Sequence, residues 1–251
     1  MFEIFILSIV QGLTEFLPIS SSSHLILISE FLFKSDSNLM IDISLHVGSL
    51  FAIIIFFSKK ILNFFSDKSF LVFIIIASLP TLIIGFILGL TGIIEYLREP
   101  ITIGIVTIIF GLLLFISDKN IQSKNLQDCL NLKSALIVGF FQCISLIPGV
   151  SRSGITITAA RFLGISRKDS LTISFLLSVP ILIAIGFFNF FEVIKLSSFE
   201  ITITNIVGIV LSFIFSYLTI KYFFKFVEKF NFNIFVIYRI ILGLVIITLY
   251  F

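Results

Sequence analysis

The chain alternates long apolar blocks with short charged loops, and shows neither the amphipathic helical stripe nor the strand alternation of a soluble domain. A helix crosses a bilayer with about 20 apolar residues. Six blocks approach or reach that length: 43–57, 70–90, 101–117, 170–191, 201–220 and 233–250. Two further apolar stretches are broken in the middle. Residues 2–33 are interrupted by Thr14-Glu15, Pro18 and the run from Ser20 to His24; residues 135–164 are interrupted between Pro148 and Gly154. Each arm, at about ten helical residues, covers about 15 Å, half the hydrocarbon core. Half-crossings joined by a polar turn predict re-entrant hairpins. The expected fold is therefore all-α: a single polytopic membrane domain of six transmembrane helices plus two re-entrant helical hairpins.

Composition agrees. Of 251 residues, 58% are hydrophobic and 12% charged, about half the charge of a soluble protein. Met1-Phe2-Glu3 lacks a basic leader and reads as mature sequence, not a signal peptide. Cys129 and Cys143 have no metal-type spacing and read as packing residues. The net charge of +3 comes from loop lysines and arginines, which fits membrane topology and argues against nucleic-acid binding.

Charge also sets the sidedness. Residues 58–69, 165–169 and 221–231 are rich in lysine and arginine and are expected in the cytoplasm. Residues 30–42, 92–100 and 191–201 lean acidic and are expected outside. The chain threads through these positions only if both broken segments return to the side they came from, the first from outside and the second from the cytoplasm. Both termini then lie outside.

A shift of 130 lays Leu17-Pro18 on Ile147-Pro148, Ser21 on Ser151 and Ser23 on Ser153. The order hairpin, span, span, span recurs, so residues 1–117 and 134–251 read as two repeats of opposite orientation. Such folds place their sites near the midplane, where broken helices meet.

The two turns carry the chemistry. A charge at mid-depth costs at least about 2.5–3.5 kcal/mol, and the chain puts Glu15 in one turn and Arg152 in the other. Glu15 can pair with Arg152 and still take part in a reaction. Gln11 and Glu15 share a helix face. Ser21 and His24 could meet on a helix, as a hydroxyl beside a base. Arg152 offers a planar fork for phosphate oxygens, and Ser151, Ser153 and Gly154 could add hydroxyl and N–H donors at a helix start. This combination suits phosphoryl transfer. His46 and Arg239 read as structural, Arg239 by snorkelling its charge toward the inner face. Arg161 reads as a cytoplasmic anchor, and Pro80 and Pro180 as kinks.

The stretch Gln11-Gly12-Leu13-Thr14-Glu15-Phe16-Leu17-Pro18-Ile19-Ser20-Ser21-Ser22-Ser23-His24 resembles the first signature of bacterial undecaprenyl-diphosphate phosphatases of the bacitracin-resistance type. Pro148-Gly149-Val150-Ser151-Arg152-Ser153-Gly154 resembles the second, and Asp42–Gly48 and Tyr238–Gly243 are similar to further family segments. The resemblance covers essentially the whole chain. It implies hydrolysis of undecaprenyl diphosphate to the monophosphate and phosphate, which recycles the lipid carrier of cell-wall synthesis. The implied setting is the bacterial inner membrane with the site facing the periplasm, and the implied cofactor is a divalent cation, Mg²⁺ or Ca²⁺. Where the family has an acid or glutamine, this chain has Gln11, so Glu15 is the charged metal ligand in that motif and Gln11 has an orienting role. The expected catalytic group is Ser21, His24, Glu15 and Arg152, with Gln11, Ser151, Ser153 and Gly154 binding substrate. Attack by Ser21 activated by His24 competes with attack by water activated by His24. A transporter or flippase for polyprenyl phosphate or a small anion is the alternative function. The sequence leaves monomer and homodimer open.

Overall fold

The computed structural model describes residues 2–28, 39–63, 68–91, 99–119, 124, 126–195 and 202–251. Among them it is helical, with no strand beyond one isolated bridge between Lys124 and Ile165. The helices are α1 (Phe2–Thr14), α2 (Ser21–Ile28), α3 (Leu39–Phe56), α4 (Ser58–Asn63), α5 (Lys68–Thr91), α6 (Pro100–Asp118), α7 (Leu126–Cys129), α8 (Leu132–Ile144), α9 (Arg152–Phe162), α10 (Arg167–Lys195), α11 (Ile203–Val227) and α12 (Asn233–Tyr250).

Five of these are long and apolar enough to cross a membrane: α5, α6, α10, α11 and α12. The expected span 43–57 is the apolar helix α3, shorter than those five over its searched residues, 40–56. With its whole-chain apolar pattern, the protein is a multi-pass membrane protein. The helices run past the apolar blocks by several residues. Residues 221–227, expected in a cytoplasmic loop for their two lysines, continue α11, and Phe223 and Val227 join its buried core. Pro80 and Pro180 both lie inside continuous helices.

Both broken segments form pairs of short helices. α1 and α2 pack together, as do α8 and α9. Their 13, 8, 13 and 11 residues are each too short to cross. The last part of the first broken segment, 29–33, lies outside the described residues, as do most of the acidic loops 92–100 and 191–201. Packing between the halves is reciprocal: α1 lies on α11 and α8 on α5, while α3 meets α10 and α6 meets α12.

Membrane helices gain little from burying apolar surface against each other, so close contact and interhelical hydrogen bonds hold them. At α3–α11, Ser49 meets Ser212 and Ser216 at 3.2 and 3.0 Å, and Asn205 donates to Ser44 at 3.1 Å. At α6–α12, Gly104 and Gly243 bring the two backbones together, since a Cβ on Gly243 would stand 2.6 Å from the Gly104 carbonyl. One end of the bundle is knotted by Asp118. It receives Arg161 at 3.3 Å, Arg167 at 2.8 Å and the backbone N–H of Phe232 at 3.2 Å. Arg161 is thus an anchor, through a buried ion pair. Cys129 and Cys143 are free thiols, the first buried in the core.

A methyl group at Gly48 would lie 2.4 Å from the Ile209 carbonyl, whereas one at Gly186 would meet nothing within 4 Å. Gly48→Ala should therefore lower stability by about 1–3 kcal/mol through overpacking, and Gly186→Ala should not. Unfolding of the two variants in detergent tests this; equal stabilities would contradict the close α3–α11 contact.

Candidate active site

Each turn ends on a serine with left-handed backbone, Ser20 at φ 73° and Ser151 at φ 70°. L-residues rarely adopt this conformation, which costs about 1–3 kcal/mol unless neighbours hold it. Each of these serines immediately precedes a helix: α2 begins at Ser21 and α9 at Arg152. The structural offset is therefore 131, not the 130 that aligned Ser21 with Ser151. The second turn has one more residue between its proline and its left-handed serine, so Ser21 and Arg152 are the equivalent positions.

These two first-turn residues converge. Arg152 donates to Glu15 Oε1 in a buried ion pair. Ser21 Oγ donates to Glu15 Oε2 at 2.7 Å, and Gln11 Nε2 donates to the same oxygen at 3.2 Å. Glu15 follows the last turn of α1 and is itself buried, beside Phe16, whose ring packs edge-on against Phe175 at 5.3 Å. Two helix N-termini, with their positive dipole ends, thus meet at one carboxylate. Such ends bind phosphate groups.

The expected Ser21–His24 hydrogen bond is not formed. Instead His24 turns back on its own helix start, with Nδ1 2.6 Å from the Ser20 carbonyl. Its Nε2 lies 2.6 Å from the hydroxyl of Tyr238 on α12. Ser151, Ser153 and Gly154 are engaged within the protein. Ser151 caps α9 by accepting the Gly154 N–H at 3.2 Å, and Ser153 donates to the Leu17 carbonyl at 2.8 Å, tying one turn to the other. His46 Nδ1 lies 2.7 Å from the Asp42 carbonyl, one turn back on α3, and the imidazole is close enough to Glu15 to interact with its charge.

Arg239 corrects the sequence reading. It does not snorkel. Its side chain is fully buried, and its guanidinium reaches both turns. It donates to Pro18 at 3.3 Å in the first turn, to Gly149 and Val150 at 2.9 Å each in the second, and to Thr107 on α6 at 3.1 Å, all through carbonyl oxygens. Gly154 is needed beside it, because a Cβ there would stand 2.9 Å from Nη1. Snorkelling was expected of a long cationic side chain, but Arg239 is the seventh of the 18 residues of α12, close to its middle and far from water. The carbonyls freed by the two breaks offer better partners than water at the interface. Tyr238 and Arg239 carried only a family likeness in the sequence; nothing in their spacing points to His24 or to the turns.

Among the described residues no group of three or more His, Cys, Asp or Glu could hold a metal. The Gln11 Oε1 is nevertheless a buried acceptor without a hydrogen-bond partner among them, next to Glu15.

Comparison with known proteins decides the family. The model of the family described as "Bacitracin resistance protein BacA" matches residues 4–245. This chain belongs to that family. An undecaprenyl-diphosphatase of Pelagibacter ubique (strain HTCC1062) is 45% identical over 97% of this chain and 95% of its own length. Proteins of the same name are 41% identical in Chromohalobacter salexigens, over 96% of each chain, and 37% identical in Jannaschia sp. (strain CCS1), over 99% of this chain and 98% of the relative. Membership of the BacA family covers both turns and the α12 segment.

Removing the Arg239 guanidinium would take a donor from the Pro18 and Val150 carbonyls, at about 1–3 kcal/mol each, while Gly149 keeps the Thr107 hydroxyl and the Thr107 carbonyl lies within α6. Arg239→Met should therefore lose several kcal/mol of stability, with Arg239→Lys losing less. Denaturation in detergent measures this; a wild-type midpoint for Arg239→Met would remove its role as the tie between the turns.

Proposed function

We propose that this chain hydrolyses undecaprenyl diphosphate to undecaprenyl phosphate and inorganic phosphate. The observation that carries the reading is the meeting of Ser21, Glu15 and Arg152 at two helix N-termini. It places a hydroxyl, its hydrogen-bond acceptor and an anion-binding fork within one phosphate's reach. The names of the relatives, each an undecaprenyl-diphosphatase, agree with that chemistry.

Ser21 Oγ attacks the terminal phosphorus while its proton passes to Glu15 Oε2, the oxygen it already faces. The bond from phosphorus to the bridging oxygen breaks, and undecaprenyl phosphate leaves. Water then hydrolyses the phosphoserine. Arg152 and the N–H groups opening α2 and α9 hold the charge on the equatorial oxygens. Gln11 orients Glu15 through its amide. Glu15 replaces His24 as the base for Ser21, since both His24 nitrogens have other partners. Direct attack by water on the phosphorus is the competing route.

Glu15 and the unpartnered Gln11 Oε1 would hold a divalent cation, Mg²⁺ or Ca²⁺, as hard oxygen donors. When bound, the cation would neutralise charge on the transferred phosphate. We place the protein in the bacterial inner membrane, its halves as inverted repeats with the site open to the periplasm and the prenyl chain left in lipid. Monomer and homodimer both accommodate this arrangement.

Purified protein in detergent should release phosphate from undecaprenyl diphosphate, and chelation should reduce the rate. Detergent abolishes vectorial transport, so a transporter would be inactive in this assay. Ser21→Ala, Glu15→Ala and Arg152→Ala should each lose about 10²–10³ in kcat, by analogy with lost transition-state donors. Near-normal turnover in any one would take that residue out of the reaction, and a trapped phosphoserine at Ser21 would decide against direct attack by water. Cysteines introduced into 221–231 should resist labelling from outside intact cells; labelling there would reverse the topology.

A further inference from the structure

Tyr238 lies far from both turns in sequence, yet its hydroxyl is 2.6 Å from His24 Nε2, and the two rings are nearly parallel at 10°. The other nitrogen fixes the roles. Nδ1 is 2.6 Å from the Ser20 carbonyl, which can only accept, so Nδ1 carries the proton. The imidazole is buried and neither nitrogen faces a carboxylate, so the neutral form is favoured; Nε2 is then an acceptor, and the Tyr238 hydroxyl is its donor. The opposite tautomer would set two acceptors 2.6 Å apart against the Ser20 carbonyl and would put an N–H where the phenol now donates.

The Ser20 carbonyl belongs to the left-handed residue that opens α2, and it also receives the His24 backbone N–H at 3.4 Å. The next residue is Ser21. We propose that Tyr238 is a positioning residue for the hydrolysis: its hydroxyl holds His24 in the Nδ1–H tautomer, and His24 in turn holds the Ser20 turn that aims Ser21 at Glu15. His24 then orients the nucleophile and takes no proton from it. Among the described residues, the titratable and charged groups around this pair are Glu15 and Arg152 beyond Ser21, His46 near Glu15, and Arg239 next to Tyr238 on α12.

The proposal rests on Ser21 as nucleophile, and its test has arms that do and do not need that assignment. Tyr238→Phe should lower kcat about tenfold, the equivalent of one hydrogen bond, with KM unchanged and the protein still folded, its melting temperature lowered only by the loss of one donor to the buried Nε2. His24→Asn carries an amide N–H where Nδ1–H was, so it should recover most of the activity that His24→Ala loses. Tyr238→Phe added to His24→Ala should cost nothing further, because its effect passes through the imidazole. Nitrogen-15 spectra of histidine-labelled protein, assigned with His24→Asn, should give the neutral Nδ1–H tautomer in wild type and a shifted Nε2 signal in Tyr238→Phe. The idea fails if His24→Asn is as inactive as His24→Ala, if Tyr238→Phe turns over at the wild-type rate, if the double variant is slower than His24→Ala, or if His24 is protonated at Nε2 alone. The spectra need no substrate, so an absence of hydrolysis by wild type would sink the phosphatase reading and leave the Tyr238–His24 contact to stand or fall by itself.

Discussion

One buried guanidinium makes the broken helices tolerable. A bilayer offers no water to backbone groups freed from a helix, so each interruption must find partners within the protein. Arg239 supplies them for both turns at once, with Thr107 on α6 as the fourth acceptor. The charge balance follows. Glu15 is matched by Arg152, while the groups that hold Arg239 are neutral carbonyls. The centre therefore carries surplus positive charge in a medium of low dielectric constant, where an anion is bound far more strongly than in water. The diphosphate head group of the proposed substrate matches that surplus.

The glycines serve the same end. Gly111 and Gly154 leave room along the path of the Arg239 side chain, and Gly149, at φ 95°, lets the second turn expose its carbonyl to it. A stripe of serines between α3 and α11 and the tight crossing of α6 on α12 hold the scaffold steady around that point.

Much of this was legible in the residues. Apolar blocks of spanning length gave the long helices, and the interruptions at Pro18 and Pro148 gave the half-helices, because length and polarity in a membrane are nearly one-dimensional constraints. Glu15 and Arg152 stood out because a charge at depth needs a reason. Their pairing and the Ser21 contact depend on how two distant turns dock. The left-handed serines moved the true correspondence by one residue, which no composition argument detects. Ser21 and His24 have helical spacing, but Ser20 offers the imidazole a carbonyl one turn back, and that local acceptor wins over the hydroxyl. Tyr238 and Arg239 act across more than 200 residues of chain on His24 and Pro18, and contacts of that range leave no trace in spacing.

The link from Ser153 to the Leu17 carbonyl, together with the guanidinium shared by both turns, has a kinetic meaning. The tips of the two halves cannot rock past one another without exposing several backbone groups to hydrocarbon at once, so alternate opening to opposite leaflets would face a steep barrier. What such an anvil does well is hold a head group still.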